Sequence, residues 1–438
     1  MRLKRWMWGI MTLAVLITSA SCKKNDDDNT VVTTKITSFY LKNDSIEGLS
    51  DIEFTIDNDS NVIYNKDSAE YGIRVDSVWP IIGASSLESI TINDTLDYSR
   101  EDTVFMDFTK PVTIRTVSAA DPEQKRTYTV KVKVHQVDPD TFIWNALAFD
   151  IYAENPTSER AVYLNDEIKL LIMADKARCY SSADGKEWTG ADATGLPQTF
   201  DADHVIASGK SLYYGEGEKL YSSTDGAAWE ETTLTDISIN TMLFYMEGYL
   251  YAHATMGGET CIARCEEGSA AWERASKVPA GFPVSGAGLC VADGPTGKPR
   301  AFLAGGVDAE GNLLSSLWST EDGEYWTNLT LGGKWFTPRE GIAIVQYAGG
   351  LMMFGGKDAD GICYDDFHLY SPDYGLTWET PDSKAQITIP YERKYYISPI
   401  TLSDGYIYLV GGRASDNGDF AKNVLSGLNY ASLPGFKK

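Results

Sequence analysis

Hydrophobic and polar residues alternate with a period of two across the first third of the chain. Between residues 35 and 136 the alternation is clearest in Ile52-Glu-Phe-Thr-Ile56 and in Tyr128-Thr-Val-Lys-Val-Lys-Val134. Such alternation is typical of strands with one buried face. Turn-forming clusters, such as residues 57–61, separate the runs, and no long amphipathic helical pattern interrupts them. The pattern predicts an all-β domain over 35–136.

About seven short strands in some hundred residues favour an immunoglobulin-like β-sandwich. Its closing strand would lead directly into a second domain, which we place at 137–438. A spacer that holds the second domain away from a membrane is the simpler function for such a sandwich, and a ligand-binding module is the alternative.

The second domain contains an internal repeat, which is the most informative feature of the chain. Each of four copies has Ser, then Gly four residues later, then Trp three residues after that, with an Asp close before the Gly. The copies are Ser181, Asp184, Gly185 and Trp188; Ser222, Asp225, Gly226 and Trp229; Ser319, Asp322, Gly323 and Trp326; and Ser371, Asp373, Gly375 and Trp378. A weaker copy ends at Trp272.

The chemistry of this motif suits a tight hairpin turn. Gly permits a positive φ, and Asp and Ser oxygens accept hydrogen bonds from turn amides. The motif resembles the Asp-box of sialidase-like β-propellers, in which it supports the fold and lies on the face opposite the active site. That resemblance implies a structural role for all four copies.

The spacing of the tryptophans predicts the number of blades. From Trp188 to Trp378 they lie 41, 43, 54 and 52 residues apart, and Trp144 lies 44 residues before Trp188. The strand at 140–147 has no preceding partner, and the C-terminal strands lack a fourth. We therefore predict a six-bladed propeller closed by strand 140–147. Gly305-Gly306, Gly355-Gly356 and Gly411-Gly412 resemble the double glycine of kelch repeats.

The N-terminus has the features of an export signal. Basic residues at 2, 4 and 5 precede a short apolar run, and Ser19-Ala-Ser-Cys22 resembles a bacterial lipobox. We interpret residues 1–22 as a lipoprotein signal with Cys22 as the lipidated residue, and 23–34 as a flexible acidic tether. The whole layout resembles Bacteroidota surface lipoproteins. This resemblance implies an outer-membrane, surface-exposed location and assigns no activity.

The charge and composition of the chain limit the classes of partner and cofactor that it could bind. The net charge is −24, and signal cleavage would remove three basic residues and no acid. This argues against nucleic acid and leaves the lipid as the only expected contact with the membrane. Five further cysteines include no CxxC pair, and the four histidines show no metal spacing, so we predict no cofactor. The segment 358–366 carries several Asp residues, and a hairpin loop is a simpler interpretation than a calcium site.

Candidate ligand-binding residues lie in two sets of loops that share one face of a propeller. One set leads into the first strand of each blade, and the other joins the second and third strands. Arg can bind carboxylates and aromatic rings can stack on sugars; central plugging or pairing with local acids is the alternative role. The candidates are Trp335, Arg339, Tyr391, Glu392, Arg393, Tyr395 and Arg413.

These observations favour a non-catalytic surface protein that binds a glycan or a protein partner through its loop face. A sialidase-like glycoside hydrolase or lyase acting on the same face is the alternative, with Arg160, Arg339 and Arg393 as a conceivable carboxylate-binding triad. No Arg-Ile-Pro motif precedes the first blade. A structural role beside an outer-membrane transporter is a third hypothesis.

Overall fold

A computed structural model describes residues 32–138, 141–294, 296–330, 335–363, 368–381, 383–390, 392–414 and 418–429. Cys22 and most of the tether lie outside these ranges. The chain divides into two compact units between Val134 and His135. No helix in the described ranges is long and apolar enough to cross a membrane.

The N-terminal unit consists of strands. They are β1 Ile36–Lys42, β2 Phe54–Asp57, β3 Val62–Asn65, β4 Trp79–Ala84, β5 Leu87–Ile92, β6 Leu96–Asp97, β7 Val112–Ser118 and β8 Lys125–Lys131, with a 3-10 turn at Leu49–Asp51. Strand β1 pairs with β4, and the other six form one sheet in the order β2-β3-β8-β7-β5-β6. In that sheet β3 and β8 run parallel. Both sheets contribute to a single core, which includes Phe39, Ile63, Ile114 and Tyr128.

The C-terminal unit also consists of strands. They are β9 Phe142–Ala148, β10 Ser158–Leu164, β11 Glu167–Met173, β12 Ala177–Ser182, β13 Thr189–Asp192, β14 Ile206–Ala207, β15 Leu212–Glu216, β16 Lys219–Ser223, β17 Glu230–Thr233, β18 Ser238–Met246, β19 Tyr249–Met256, β20 Glu259–Glu266, β21 Trp272–Lys277, β22 Gly288–Asp293, β23 Pro299–Ala304, β24 Leu317–Thr320, β25 Thr327–Asn328, β26 Glu340–Tyr347, β27 Gly350–Lys357, β28 His368–Ser371, β29 Lys394–Tyr395, β30 Ser398–Thr401, β31 Ile407–Val410, β32 Arg413–Ala414 and β33 Val424–Asn429. Short 3-10 turns lie at Ala202–His204 and Ser383–Ala385.

Most of these strands form antiparallel sheets that follow one another along the chain. In the described ranges the sheets are β10-β11-β12-β13, β14-β15-β16-β17, β18-β19-β20-β21, β22-β23-β24-β25, β26-β27-β28 and β30-β31-β33-β9, with a ribbon of β29 and β32. The last sheet takes its outer strand from the start of the unit, because β9 pairs antiparallel with β33. The first strands contact one another in sequence, from β10 through β14, β18, β22 and β26 to β30, and β30 contacts β10. The sheets therefore surround a common axis.

The hydrophobic core of this unit lies between neighbouring sheets, and each interface contains a tryptophan. Trp188, Trp229, Trp272, Trp326 and Trp378 each pack in the interface with the preceding sheet. Trp144, on β9, occupies the corresponding interface between the β26 and β30 sheets. Burial of an aromatic ring at each interface gives every sheet a stabilising contact with its predecessor.

The repeated motif forms the turns between third and fourth strands, and its hydroxyl lies one residue later than we predicted in three copies. The Gly185 amide donates to Ser182 Oγ at 2.9 Å, and Asp184 Oδ1 accepts from the Lys186 amide at 2.9 Å. Ser181 instead accepts a hydrogen bond from Lys169 Nζ. The corresponding hydroxyls in the next two copies belong to Ser223 and Thr320, so Ser222 and Ser319 do not fill this role.

In the fourth copy, Ser371 Oγ does accept from the Gly375 amide, at 2.7 Å. The first three copies have one residue fewer between Asp and Gly than the fourth. Alignment on the first Ser therefore displaced the hydroxyl by one position, whereas alignment on Asp gives the same turn in all four.

Gly323→Ala is expected to destabilise the C-terminal unit by about 2–4 kcal/mol. Gly323 has a φ of 73°, and a Cβ at this position would overlap the ring of Tyr251 in the preceding sheet. The substitution therefore combines backbone strain with overpacking at the interface. Equilibrium unfolding in urea measures the loss.

Gly311→Ala is the matched control. Gly311 has a similar φ of 86°, but a Cβ there would meet no atom within 4 Å. Only the backbone cost of about 1 kcal/mol is expected. Equal losses of unfolding free energy in the two variants would show that the close approach to Tyr251 does not contribute to stability.

Candidate functional site

A cavity of about 300 Å³ lies on the common axis of the C-terminal unit. Its walls come from the first parts of the inner strands β10, β18, β22, β26 and β30, from the residues before β14, and from Arg413 after β31. Because successive strands are antiparallel, this end of the sheets is opposite the turns that carry the tryptophan motif. The cavity thus lies among the loops that lead into first strands and join second to third strands.

Glu159 is a buried carboxylate in the wall, 3% exposed. Its Oε1 accepts a hydrogen bond from the Gly412 amide at 2.6 Å, and its Oε2 accepts one from the Tyr152 hydroxyl. Burial raises the pKa of Glu159 to about 7, against the opposing effect of these donors and of the Lys394 ammonium. A carboxyl group with this pKa is partly protonated near neutral pH.

Asp203 and Arg413 form an ion pair at the edge of the cavity. Arg413 Nη2 lies 2.8 Å from Asp203 Oδ2. Burial raises the pKa of Asp203 to about 6, although Arg413 opposes the shift. The Arg413 guanidinium also lies over the rings of Tyr396 and Phe420, at 5.0 and 5.1 Å from their centroids. Stacking and ion pairing together fix its position.

Arg160 brings a second guanidinium to the cavity, and it makes no hydrogen bond to any described residue. Its Nε is buried and has no hydrogen-bond partner. The Nε of Arg413 is likewise buried without a hydrogen-bond partner. Burial lowers the pKa of Arg160, while the charge of Asp203 opposes this shift. Arg160 lines the cavity and is partly exposed.

The remaining walls combine polar groups with apolar side chains. Tyr396 donates its hydroxyl to Glu340 Oε2 at 3.2 Å. Burial lowers the pKa of His204, which favours the neutral imidazole. The apolar part of the lining includes Met242, Leu243, Val284, Leu289, Leu303, Ile342 and Ile344. The cavity therefore offers charged groups beside an apolar surface.

Arg339, one of the sequence candidates, has a structural position and does not line the cavity. It is 3% exposed, its Nη2 donates to Thr337 Oγ1 at 2.6 Å, and its Nη1 donates to the Gly355 carbonyl at 3.4 Å. Lys394 Nζ makes the corresponding bond to the Gly411 carbonyl at 3.1 Å in the last sheet. Both cations thus stabilise a double-glycine segment.

The other candidates are distributed over several places. Arg413 lines the cavity, whereas Glu392 and Arg393 are exposed away from it. Trp335 packs against the core between the β22 and β26 sheets. Tyr395 is buried beneath Lys357, whose Nζ lies 4.3 Å from the ring centroid. Tyr391 lies outside the described residues.

Four charged lining residues were not among the ligand-binding candidates: Glu159, Arg160, Asp201 and Asp203. Their common sequence signal is their position, since each lies just before or at the start of a sheet's first strand. Arg160, Arg339 and Arg393 do not meet at the cavity: Arg160 lines it together with Arg413, and the other two do not line it.

The described ranges contain neither a candidate metal site nor a disulfide bond. No group of three or more His, Cys, Asp or Glu side chains there could hold a metal ion. The five described cysteines are free thiols. Asp358 Oδ1 accepts hydrogen bonds from the Asp360 and Ile362 amides, as Asp308 does in the preceding sheet, so its loop is a hairpin turn. The acidic residues at 365 and 366 lie outside the described residues.

The fold and the cavity define an all-β protein with a C-terminal β-propeller and a charged axial cavity. The family described as "DUF6242 beta propeller domain" matches residues 138–437, and the "Domain of unknown function (DUF6242) N-terminal domain" matches residues 19–132. The chain therefore belongs to the DUF6242 family.

Solved structures also resemble the chain. In all, 282 chains match it, among them the one described as "Structure of YjhT". That structure is 13% identical with a TM-score of 0.47, and the match covers 63% of this chain and 96% of the other. No curated protein matches the chain.

Proposed function

We propose that this protein is a non-catalytic, cell-surface lipoprotein that binds a glycan in the axial cavity of its propeller. The observation that carries the proposal is the cavity itself, about 300 Å³ in volume and lined by both charged and apolar groups. This volume is at the small end of the range for ligand pockets, and it suits a sugar residue better than a protein loop.

The architecture supports presentation of such a site at a surface. In this proposal Cys22 carries the lipid and anchors the chain to the outer membrane. The N-terminal unit is an immunoglobulin-like spacer, which fits its two sheets around one core. The C-terminal unit is a six-bladed propeller with Asp-box-like turns and kelch-like double glycines, closed by the pairing of β9 with β33.

Glycan-array screening of the purified full chain tests the binding function, and a pull-down from outer-membrane extracts tests the protein-partner form. We expect a restricted set of glycans to bind. The absence of any specific glycan would contradict the proposal, and a specific protein captured in the pull-down would then favour the protein-partner form.

A glycoside hydrolase or lyase is the second candidate, because Glu159 and Asp203 lie in the same cavity and both have raised pKa values. A proton donor with a pKa near 7 is a feature of many glycosidases. However, both Glu159 oxygens already accept hydrogen bonds from the wall. Release of reducing ends from any array-positive glycan would favour this candidate over simple binding.

A further inference from the structure

The two arginines of the cavity indicate which kind of glycan it takes, an inference that rests on the proposed function. A guanidinium has five N–H donors and stays charged in proteins. The guanidinium group of Arg160 donates no hydrogen bond to a described residue, and its Nε is buried. A buried N–H donor without a partner is costly, so a ligand acceptor that reached it would be stabilised.

The guanidinium group of Arg413 also has an N–H donor without an acceptor. Its Nη2 is paired with Asp203, but its Nε is buried without a hydrogen-bond partner. Arg160 and Arg413 line the same cavity, and the charge of Asp203 acts on Arg160 as well. A ligand oxyanion placed between them would receive charge-assisted hydrogen bonds from two directions.

The charge of the lining limits the charge of the ligand. Two arginines face the three carboxyl groups of Glu159, Asp201 and Asp203 in one small cavity. The carboxyl groups at least match the arginines in number, so the lining has no excess positive charge. A bound anion would therefore carry no more than a single charge and would be held by direct hydrogen bonds from the arginines. The carboxyl oxygens also provide acceptors for sugar hydroxyls, and Leu289 and Ile342 belong to an apolar wall suited to the C–H face of a ring.

We propose that the cavity binds the carboxylate of a uronic acid residue through Arg160 and Arg413. The planar carboxylate matches the fork of an arginine side chain. The hydroxyls of the ring are then directed toward the acidic part of the wall. Substitution of Arg160 should weaken binding the most, because the ligand carboxylate would be its main hydrogen-bond partner.

Isothermal titration of the full chain with methyl glycosides of D-glucuronic and D-galacturonic acid tests the assignment. Their carboxyl-reduced counterparts, methyl glucoside and methyl galactoside, are the matched neutral probes. We expect at least one uronic acid to bind ten or more times more tightly than its neutral counterpart. Arg160→Met should weaken that binding at least tenfold, whereas Arg160→Lys should restore part of it.

Arg300→Met is the control variant, because Arg300 forms an exposed ion pair with Glu321 and does not line the cavity. It should bind as the wild type does. If Arg160→Met does not fold, Arg413→Met replaces it with the same expected loss. Methyl glucoside 6-sulfate separates carboxylate recognition from general anion binding.

Three results would overturn the assignment: equal affinity for uronic acid and neutral sugar, equal affinity for the sulfate ester, or unchanged binding by the arginine variants. If the glycan array yields neutral ligands, this inference fails while the proposed function stands. If the array yields no glycan, both fail.

Discussion

Trp144→Ala is expected to lower the free energy of unfolding of the propeller by about 3–5 kcal/mol. Trp144 is 4% exposed, stacks on Phe142 at 5.5 Å and meets the edge of Phe354 at 6.0 Å. Its Nε1 also donates to the Ala385 carbonyl at 3.3 Å. The substitution empties the interface between the last two sheets. Equilibrium unfolding in guanidinium chloride, followed by circular dichroism, measures the loss.

Ile143→Ala provides the control on the same strand. Ile143 is 37% exposed and its side chain points to the opposite face of the sheet, so a loss below about 1 kcal/mol is expected. Because β9 pairs with β33, Trp144→Ala should also speed hydrogen exchange of the amides in Val424–Asn429, and Ile143→Ala should not. A loss below 1 kcal/mol for Trp144→Ala would contradict its role in joining the two ends.

The features of the fold that sequence predicted are those set by local periodicity. Alternation of polar and apolar residues identifies strands within a window of a few residues, and the Gly-to-Trp spacing repeats because every sheet needs the same turn. The propeller itself is confirmed by the match to a β-propeller domain. The displaced serines, such as Ser181 in place of Ser182, show the limit of this approach: adjacent hydroxyls look equivalent in sequence, and only the backbone turn distinguishes them.

The site was harder to predict because it is assembled from distant parts of the chain. Glu159, Asp203 and Arg413 meet in space although they come from three different sheets. Arg339 looked functional because it is an arginine in a loop with aromatic residues that leads into a first strand, in a chain that is acidic overall. Its real environment depends on Gly356, whose missing side chain makes room for the arginine stem. Neither the convergence nor that space is visible in the local sequence.

The second large effect concerns pH. Glu159→Gln is expected to remove a decline in stability that the wild type undergoes as pH rises from about 4.5 to about 7. Burial raises the pKa of Glu159 from 4.5 to about 7 in the folded protein. Between these values the folded chain retains a proton that the unfolded chain has released, so its stability falls as the pH rises. The stabilisation is complete below pH 4.5 and is lost once the pH passes about 7.

The expected size of this difference is on the order of 3 kcal/mol, since one pKa unit corresponds to about 1.4 kcal/mol. Unfolding free energies of wild type and Glu159→Gln, measured from pH 4.5 to 7.5, give the value directly. Asp203 contributes a similar decline at lower pH, because its pKa rises to about 6, and this decline persists in the variant. Lys394 has its pKa lowered to about 8, so its contribution changes only above this range.

Glu187→Gln is the matched control, because it removes an exposed carboxyl at the turn after Asp184. It should follow the wild-type pH profile. Parallel profiles for wild type and Glu159→Gln would mean that the folded protein does not hold the Glu159 proton near neutral pH. The same result would remove the main argument for a proton donor in the cavity, and with it the hydrolase alternative. If the unfolding free energies of wild type and Glu159→Gln instead approach each other as the pH falls to 4.5, the carboxyl is protonated there in the folded protein. Burial, rather than the hydrogen bonds from Tyr152 and Gly412, then determines its charge.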